Sequence, residues 1–251
     1  ALATVISQGI SCVWVLSFLT GSKTVLKIKK ENFLTGLRFL PPCIALGMSA
    51  FVMQGSESVI SLCFNSSLLQ YGGDLAVGAM TILSSVMQFA MLPLQGIAQG
   101  AQPISSYNFG AGNKERITQA IRFSLWFAAG IMLIGTLLFQ LFPDRLLMLF
   151  EAGEQMLAIG IPALKTISLS FLFAGISMVL CAVFQSLNRS LFSLVVTLLR
   201  QMIILLPLAY VLASSFGLDM CWWAFMITEV ISALISLFFL GNVHRKIIHP
   251  M

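Results

Sequence analysis

The chain has 251 residues, 58% of them hydrophobic and only 9% charged; soluble domains carry about 25% charged residues, so a water-soluble globular protein is excluded and an integral membrane protein is expected. The net charge of +5 does not point to nucleic acid, because the basic residues flank apolar runs instead of gathering on one amphipathic surface. Five cysteines, Cys12, Cys43, Cys63, Cys181 and Cys221, stand singly, in odd number and without metal spacing, and read as small packing residues.

A spanning helix takes about 20 mostly apolar residues. Seven stretches reach that length: 1–20, 41–68, 76–101, 120–142, 157–187, 191–214 and 222–242. The first begins Ala1-Leu2-Ala3-Thr4 with neither initiator Met nor leader, and reads as the last helix of a preceding bundle cut from something longer. Residues 21–40, which include LKIKKENFLTGLRFL, mix cations with Leu, Ile and Phe at helical spacing, the pattern of an interfacial helix linking two bundles. Six spans over 41–242 then make one bundle, and 243–251 form a tail.

Cytoplasmic loops hold the excess of Lys and Arg. Eleven of these residues fall in one alternate set of connections (21–40, 102–122, Arg189 and the tail), against Arg145 alone in the other. The tail is therefore expected on the cytoplasmic side of the membrane.

A charge at mid-bilayer costs about 3 kcal/mol or more and faces a bundle interior or a wet cavity. Four charged residues qualify: Glu57, Lys165, Arg200 and Glu229. Polar neighbours share their faces at helical spacing. Gln54, Glu57, Ser58, Ser61 and Asn65 line the second span, and Thr81, Ser84 or Ser85, Gln88, Gln95, Gln99 and Gln102 the third. The fifth carries Ser177, Cys181 and Gln185, the sixth Ser193, Thr197 and Arg200, and the seventh Glu229, Ser232 and Ser236.

A polar-lined cavity among these helices is expected. Against it stand plainer readings: hydroxyls bonding between helices for about 0.6 kcal/mol each, a structural Arg200–Glu229 ion pair, and a Lys165 stem that snorkels to the interface. Glu57 resists such a reading, since a structural carboxylate there would more cheaply be Gln. Pro41, Pro42, Pro93, Pro162 and Pro207 are expected to bend or end helices. Gly47, Gly55, Gly78, Gly96, Gly100, Gly130, Gly135 and Gly175 are expected at close helix approaches. Catalysis is not expected, because His244 and His249 lie only in the tail and no Cys-His or paired-Asp arrangement falls at one depth.

The stretch PLQGIAQGAQPISSYNFGAGNKERI, residues 93–117, resembles the multidrug and toxin extrusion (MATE) transporters. MQGSESVISLCFNSSLLQYGGDLAVGAMTI, LKTISLSFLFAGISMVLCAVFQSLNRS and LLRQMIILLPLAYVL extend the resemblance. It implies an all-α integral membrane protein, a polytopic helix bundle with a MATE-type C-terminal six-helix lobe (41–242) preceded by one helix of the N-terminal lobe (1–20). It also implies a secondary active exporter of cationic or amphipathic compounds, coupled to sodium or protons and needing no other cofactor. Its partners would be the small-molecule substrate, membrane lipid and the N-terminal lobe, with no nucleic acid.

In the NorM-like branch a seventh-helix Glu contributes to the cation site. Glu57 occupies that place, eight residues after Ser49, where relatives usually carry Pro. The same branch uses an Asp on the tenth helix, where this chain has Gly175 and Ile176, so the two-carboxylate site does not carry over intact. The expected coupling-ion or proton site is Glu57, with sodium as the metal it would hold. Gln54, Ser61, Asn65, Gln88, Gln95, Gln185, Arg200 and Glu229 are expected to line its cavity. A lipid-linked oligosaccharide flippase of the same superfamily, a seven-helix receptor and a lobe inactive by itself are the alternatives.

Overall fold

The computed structural model describes residues 2–21, 40–149 and 153–249. The expected interfacial linker at 21–40 falls almost entirely outside them. The described residues are helical, with no strand among them. Two compact units result, Ala1–Met48 and Ser49–Met251.

The first unit holds α1, Leu2–Thr20, and the opening of α2. Polar side chains in so apolar a helix close onto their own backbone. Ser7 Oγ donates to the carbonyl of Thr4 at 3.0 Å and Thr20 Oγ1 to that of Leu16 at 2.8 Å, which hides their hydrogen-bonding capacity from lipid.

In the second unit α2 runs on to Gly110, a helix of 71 residues from Leu40 broken at Gly73. There φ is +66°, a conformation that a Cβ would obstruct. The break separates the expected spans 41–68 and 76–101, and the second half continues nine residues past 101. A Gly-Ala-Gly-Asn turn then connects to α3, Lys114–Leu141. Gly112 sits at φ +69°, while the amides of Gly112 and Asn113 reach the carbonyls of Phe109 and Asn108 at 3.2 and 2.9 Å, closing the helix end as a Schellman motif does. Asn113 next serves as N-cap, its Oδ1 accepting from the Arg116 amide at 3.2 Å.

After α4, Pro143–Met148, the expected span 157–187 is two helices, α5 at Glu154–Ser168 and α6 at Phe171–Ser186, bent by 54°. The bend was expected at Pro162, which instead lies inside α5; it occurs at Leu169 and Ser170. Side chains satisfy the backbone groups that the break releases. Gln140 of α3 donates to the Lys165 carbonyl at 2.7 Å, Thr136 to that of Ser168 at 3.1 Å, and Ser170 to that of Ile167 at 2.6 Å.

The chain continues as α7, Ser190–Leu198, a π-helical segment Leu199–Leu205, and α8, Leu206–Phe216. Pro207 begins α8, and the wider π turns just before it accommodate its missing N–H without a break. A short α9, Leu218–Cys221, leads to α10, Trp223–Val243, which extends as π-helical turns through Ile248. His244–Ile248, expected as part of a tail, thus continue the last helix, with Ile248 buried. Five described helices are long and apolar enough to cross a membrane, six with the bent pair taken as one; the expected seventh, 41–68, is helical within α2.

α6 is the central helix, packed against α3, α7 and α10. Around it Leu83, Val86, Met132, Leu164, Ile167, Phe171, Phe184 and Trp222 are fully buried. Phe139 and Phe171 meet edge to face at 5.1 Å. The outward faces carry exposed Phe123, Trp126, Leu133 and Leu237, natural for a surface solvated by acyl chains.

Close approach at glycine holds for part of the expected set. A Cβ on Gly175 would lie 2.8 Å from Met132 Cγ, and one on Gly78 would lie 2.8 Å from Met156 Cε. Gly47, Gly55, Gly96, Gly100 and Gly130 face open space. The cysteines also divide: Cys12, Cys43 and Cys63 are exposed and Cys221 is buried, and burial pushes the Cys221 thiol up to about 11.

Candidate functional site

All nine expected site residues belong to the second unit. Gln54, Glu57, Ser58 and Ser61 lie on the exposed side of the first half of α2, with Asn65 half-buried, while Ser56 on the opposite side is buried. The 3.6-residue period predicts this division. The stripe is an open polar face, not the wall of a closed cavity in this unit. Gln88 is also exposed and Gln95 half-buried on the second half of α2. Neither they nor Glu57 make a side-chain hydrogen bond to another described residue. Asn65 stands two turns, about 12 Å, beyond Glu57 along the axis, so the oxygen donors next to Glu57 are those of Gln54, Ser58 and Ser61.

Two clusters tie the polar faces together. At the α6–α7 junction, Gln102 Nε2 donates to Gln185 Oε1 at 3.0 Å, and Gln185 Nε2 donates to Ser193 Oγ at 3.4 Å. Both Gln185 and Ser193 contact the Met53 sulfur at 3.9 Å. This places the residues flanking Gln54 beside the start of α7.

The local fold explains the geometry. Asn188 adopts φ +57°, the left-handed conformation that Asn tolerates better than other side chains. Its amide reaches the Gln185 carbonyl at 3.1 Å and that of Arg189 reaches Phe184 at 2.8 Å. This Schellman closure reverses the chain so that the last turn of α6 and the first of α7 meet.

The second cluster is the ion pair. Arg200 Nη1 lies 3.2 Å from Glu229 Oε1, with side chains 25% and 15% exposed, the one ion pair among the described residues. Arg200 comes from the π-helical segment and Glu229 from α10. Cys181 and Glu57 also lie within electrostatic reach of Arg200. Glu57 is the carboxyl group of this set that lies outside the ion pair. Among the described residues, no group of three or more His, Cys, Asp or Glu could hold a metal ion.

Buried polar atoms without a hydrogen-bond partner include Ser177 Oγ on α6, Gln201 Oε1 next to Arg200 in the π-helical segment, and Thr228 Oγ1, Glu229 Oε2, Ser232 Oγ and Ser236 Oγ on α10. Each such atom forfeits about 1–3 kcal/mol of hydration. Thr228 and Gln201 escaped the sequence reading, although Thr228 lies four residues before Ser232 and extends its stripe. Met53 also escaped it, since nothing in a sequence marks a thioether as a polar contact. Lys165 stands apart from both clusters, exposed on the last turn of α5.

Of Gly175 and Ile176, near which the resemblance implies an acid, Gly175 is buried, and a Cβ on it would lie 2.8 Å from Met132 Cγ.

Residues 49–211 match the family model described as MatE. The chain is 23% identical over 247 residues to a multidrug export protein MepA of Staphylococcus haemolyticus, covering 98% of this chain and 54% of that protein. The corresponding protein of Staphylococcus aureus is 22% identical over 94% of this chain and 52% of its own length. The chain thus spans about half the length of the curated relatives it matches. Among solved structures, a MOP superfamily transporter from Pyrococcus furiosus, for which a reversed binding-pocket polarity suggests a different function, superposes with a TM-score of 0.91 at 21% identity over 99% of this chain and 56% of that one. An outward-facing multidrug resistance MATE transporter of the same superfamily gives 0.90 at 20% identity, over 100% and 56%.

Proposed function

The chain belongs to the MatE family, and from that premise we propose that it is the C-terminal lobe of a cation-coupled multidrug efflux transporter. The observation that carries this reading is the exposed polar face centred on Glu57, within electrostatic reach of Arg200 in the Arg200–Glu229 pair, in a helix bundle that superposes on MATE transporters. A face of that polarity is costly against lipid; set against an N-terminal lobe it becomes one wall of a wet central cavity. Alternating access then needs both lobes, and cationic or amphipathic substrates and lipid are the partners of the assembled protein. The basic end of the lobe, with the helical residues past 243, is the cytoplasmic end of a bacterial plasma-membrane protein.

Within this reading Glu57 takes the coupling cation. Arg200 is neutralised by Glu229 and leaves the Glu57 charge to attract one monovalent ion. Gln54, Ser58 and Ser61 supply oxygens for sodium, or the carboxylate itself takes a proton. Gln88, Gln95 and Asn65 line the cavity nearby, and Gln185 borders it through Met53. A flippase would need several unpaired cations for pyrophosphate, whereas Arg200 is paired and Lys165 is exposed at the α5 break.

The test uses the full-length protein in everted vesicles. Glu57→Gln is expected to abolish gradient-driven efflux of a cationic dye while membrane expression stays normal. Undiminished efflux by that variant would remove Glu57 from the mechanism.

A further inference from the structure

At the end of the second unit away from the α5–α6 bend, the start of α3 meets the π-helical end of α10. Between them opens a cavity of ≈ 350 Å³ lined by Lys114, Glu115, Thr118, Gln119, Arg122, His244, Ile248 and His249. We propose that this cavity binds the phosphate headgroup of an anionic phospholipid, with an acyl chain lying along α3.

The donors suit a phosphate. Lys114 and Arg122 bring an ammonium and a guanidinium, neither engaged in an ion pair with another described residue. Gln119 adds an amide, and His244 and His249 add ring N–H groups. Arg122 can grip two phosphate oxygens at once. The Thr118 hydroxyl is committed to the Lys114 carbonyl at 2.9 Å and is not counted. Glu115 opposes an anion and sets the scale of discrimination. The frame is firm, because Ile117 and Ile248 beneath it are buried and the His249 amide reaches the His244 carbonyl at 2.8 Å.

The apolar surface decides between a lipid and a free phosphate. On the face of α3 that carries Glu115, Gln119 and Arg122, the period of 3.6 next places Trp126, Gly130, Leu133 and Leu137. Trp126 is 73% exposed, Leu133 and Leu137 are exposed, and the space over Gly130 is open. A basic head with an apolar track leading inward from it is a lipid-shaped site at a membrane interface, where basic pockets between spanning helices hold such headgroups.

The experiment is native mass spectrometry of the full-length protein titrated with dioleoylphosphatidylglycerol or dioleoylphosphatidylcholine. Phosphatidylglycerol is expected to bind more tightly. Lys114→Gln and Arg122→Gln should each weaken it about fivefold, the effect of one cation at an anionic surface, and Glu115→Gln should strengthen it by a similar factor. Equal binding of the zwitterionic lipid, or indifference to all three substitutions, would overturn the site. Displacement of the lipid by inorganic phosphate at equal ionic strength would overturn the lipid as its source.

Discussion

Arg200 and Glu229 show what a single contact can and cannot carry. A charge-assisted hydrogen bond between partly exposed partners contributes about 1–2 kcal/mol, and removing one partner strands the other, largely buried, without its counter-charge. Arg200→Met alone should therefore lower stability more than Arg200→Met with Glu229→Gln. Thermal unfolding in detergent around a double-mutant cycle measures this, and a coupling near zero would show the pair to be incidental. Both residues were visible in the sequence as intramembrane charges. Their pairing was one of two readings open there, because whether positions 200 and 229 approach depends on the π-helical turns that swing Arg200 toward α10.

The connections between helices were the less legible elements. Pro162 drew the expected bend to the wrong turn, since a proline inside a helix can be tolerated when neighbouring groups satisfy the carbonyl it frees, while Ser168 and Ser170 with Gln140 and Thr136 of α3 stabilise the actual break. Those partners lie 25 to 32 residues away along the chain, beyond any local pattern. The Asn188 turn is local, and its sequence does carry the signal. Its φ of +57° costs a β-branched residue about 1–2 kcal/mol. Asn188→Val is expected to lower the unfolding free energy by that much, and with it the midpoint, and to weaken the Gln185–Ser193 contact, while Asn188→Gly stays near wild type; thermal melts of the two variants compare them directly.

At the scale of the whole molecule, the polar faces of α2 and the apolar faces of α3 look outward in different company. If the former line a wet cavity and the latter meet lipid, single cysteines in a background without native thiols should separate them. Gln88→Cys in the full-length protein in membranes should react readily with a hydrophilic maleimide, and Leu133→Cys should resist it. The reverse order would refute the proposed cavity.

Hydropathy and period are properties of the chain read along itself, so the sequence alone determined the membrane class, the helical stretches, the basic ends and the polar stripe around Glu57. Only the tertiary structure decided the rest: that this stripe lies open, that Gln185 joins Gln102 and Ser193, that Met132 packs closely on Gly175, and that two helix ends enclose a basic cavity. Each of these depends on distances between helices, set by side-chain packing among residues far apart in sequence, and no local spacing encodes them.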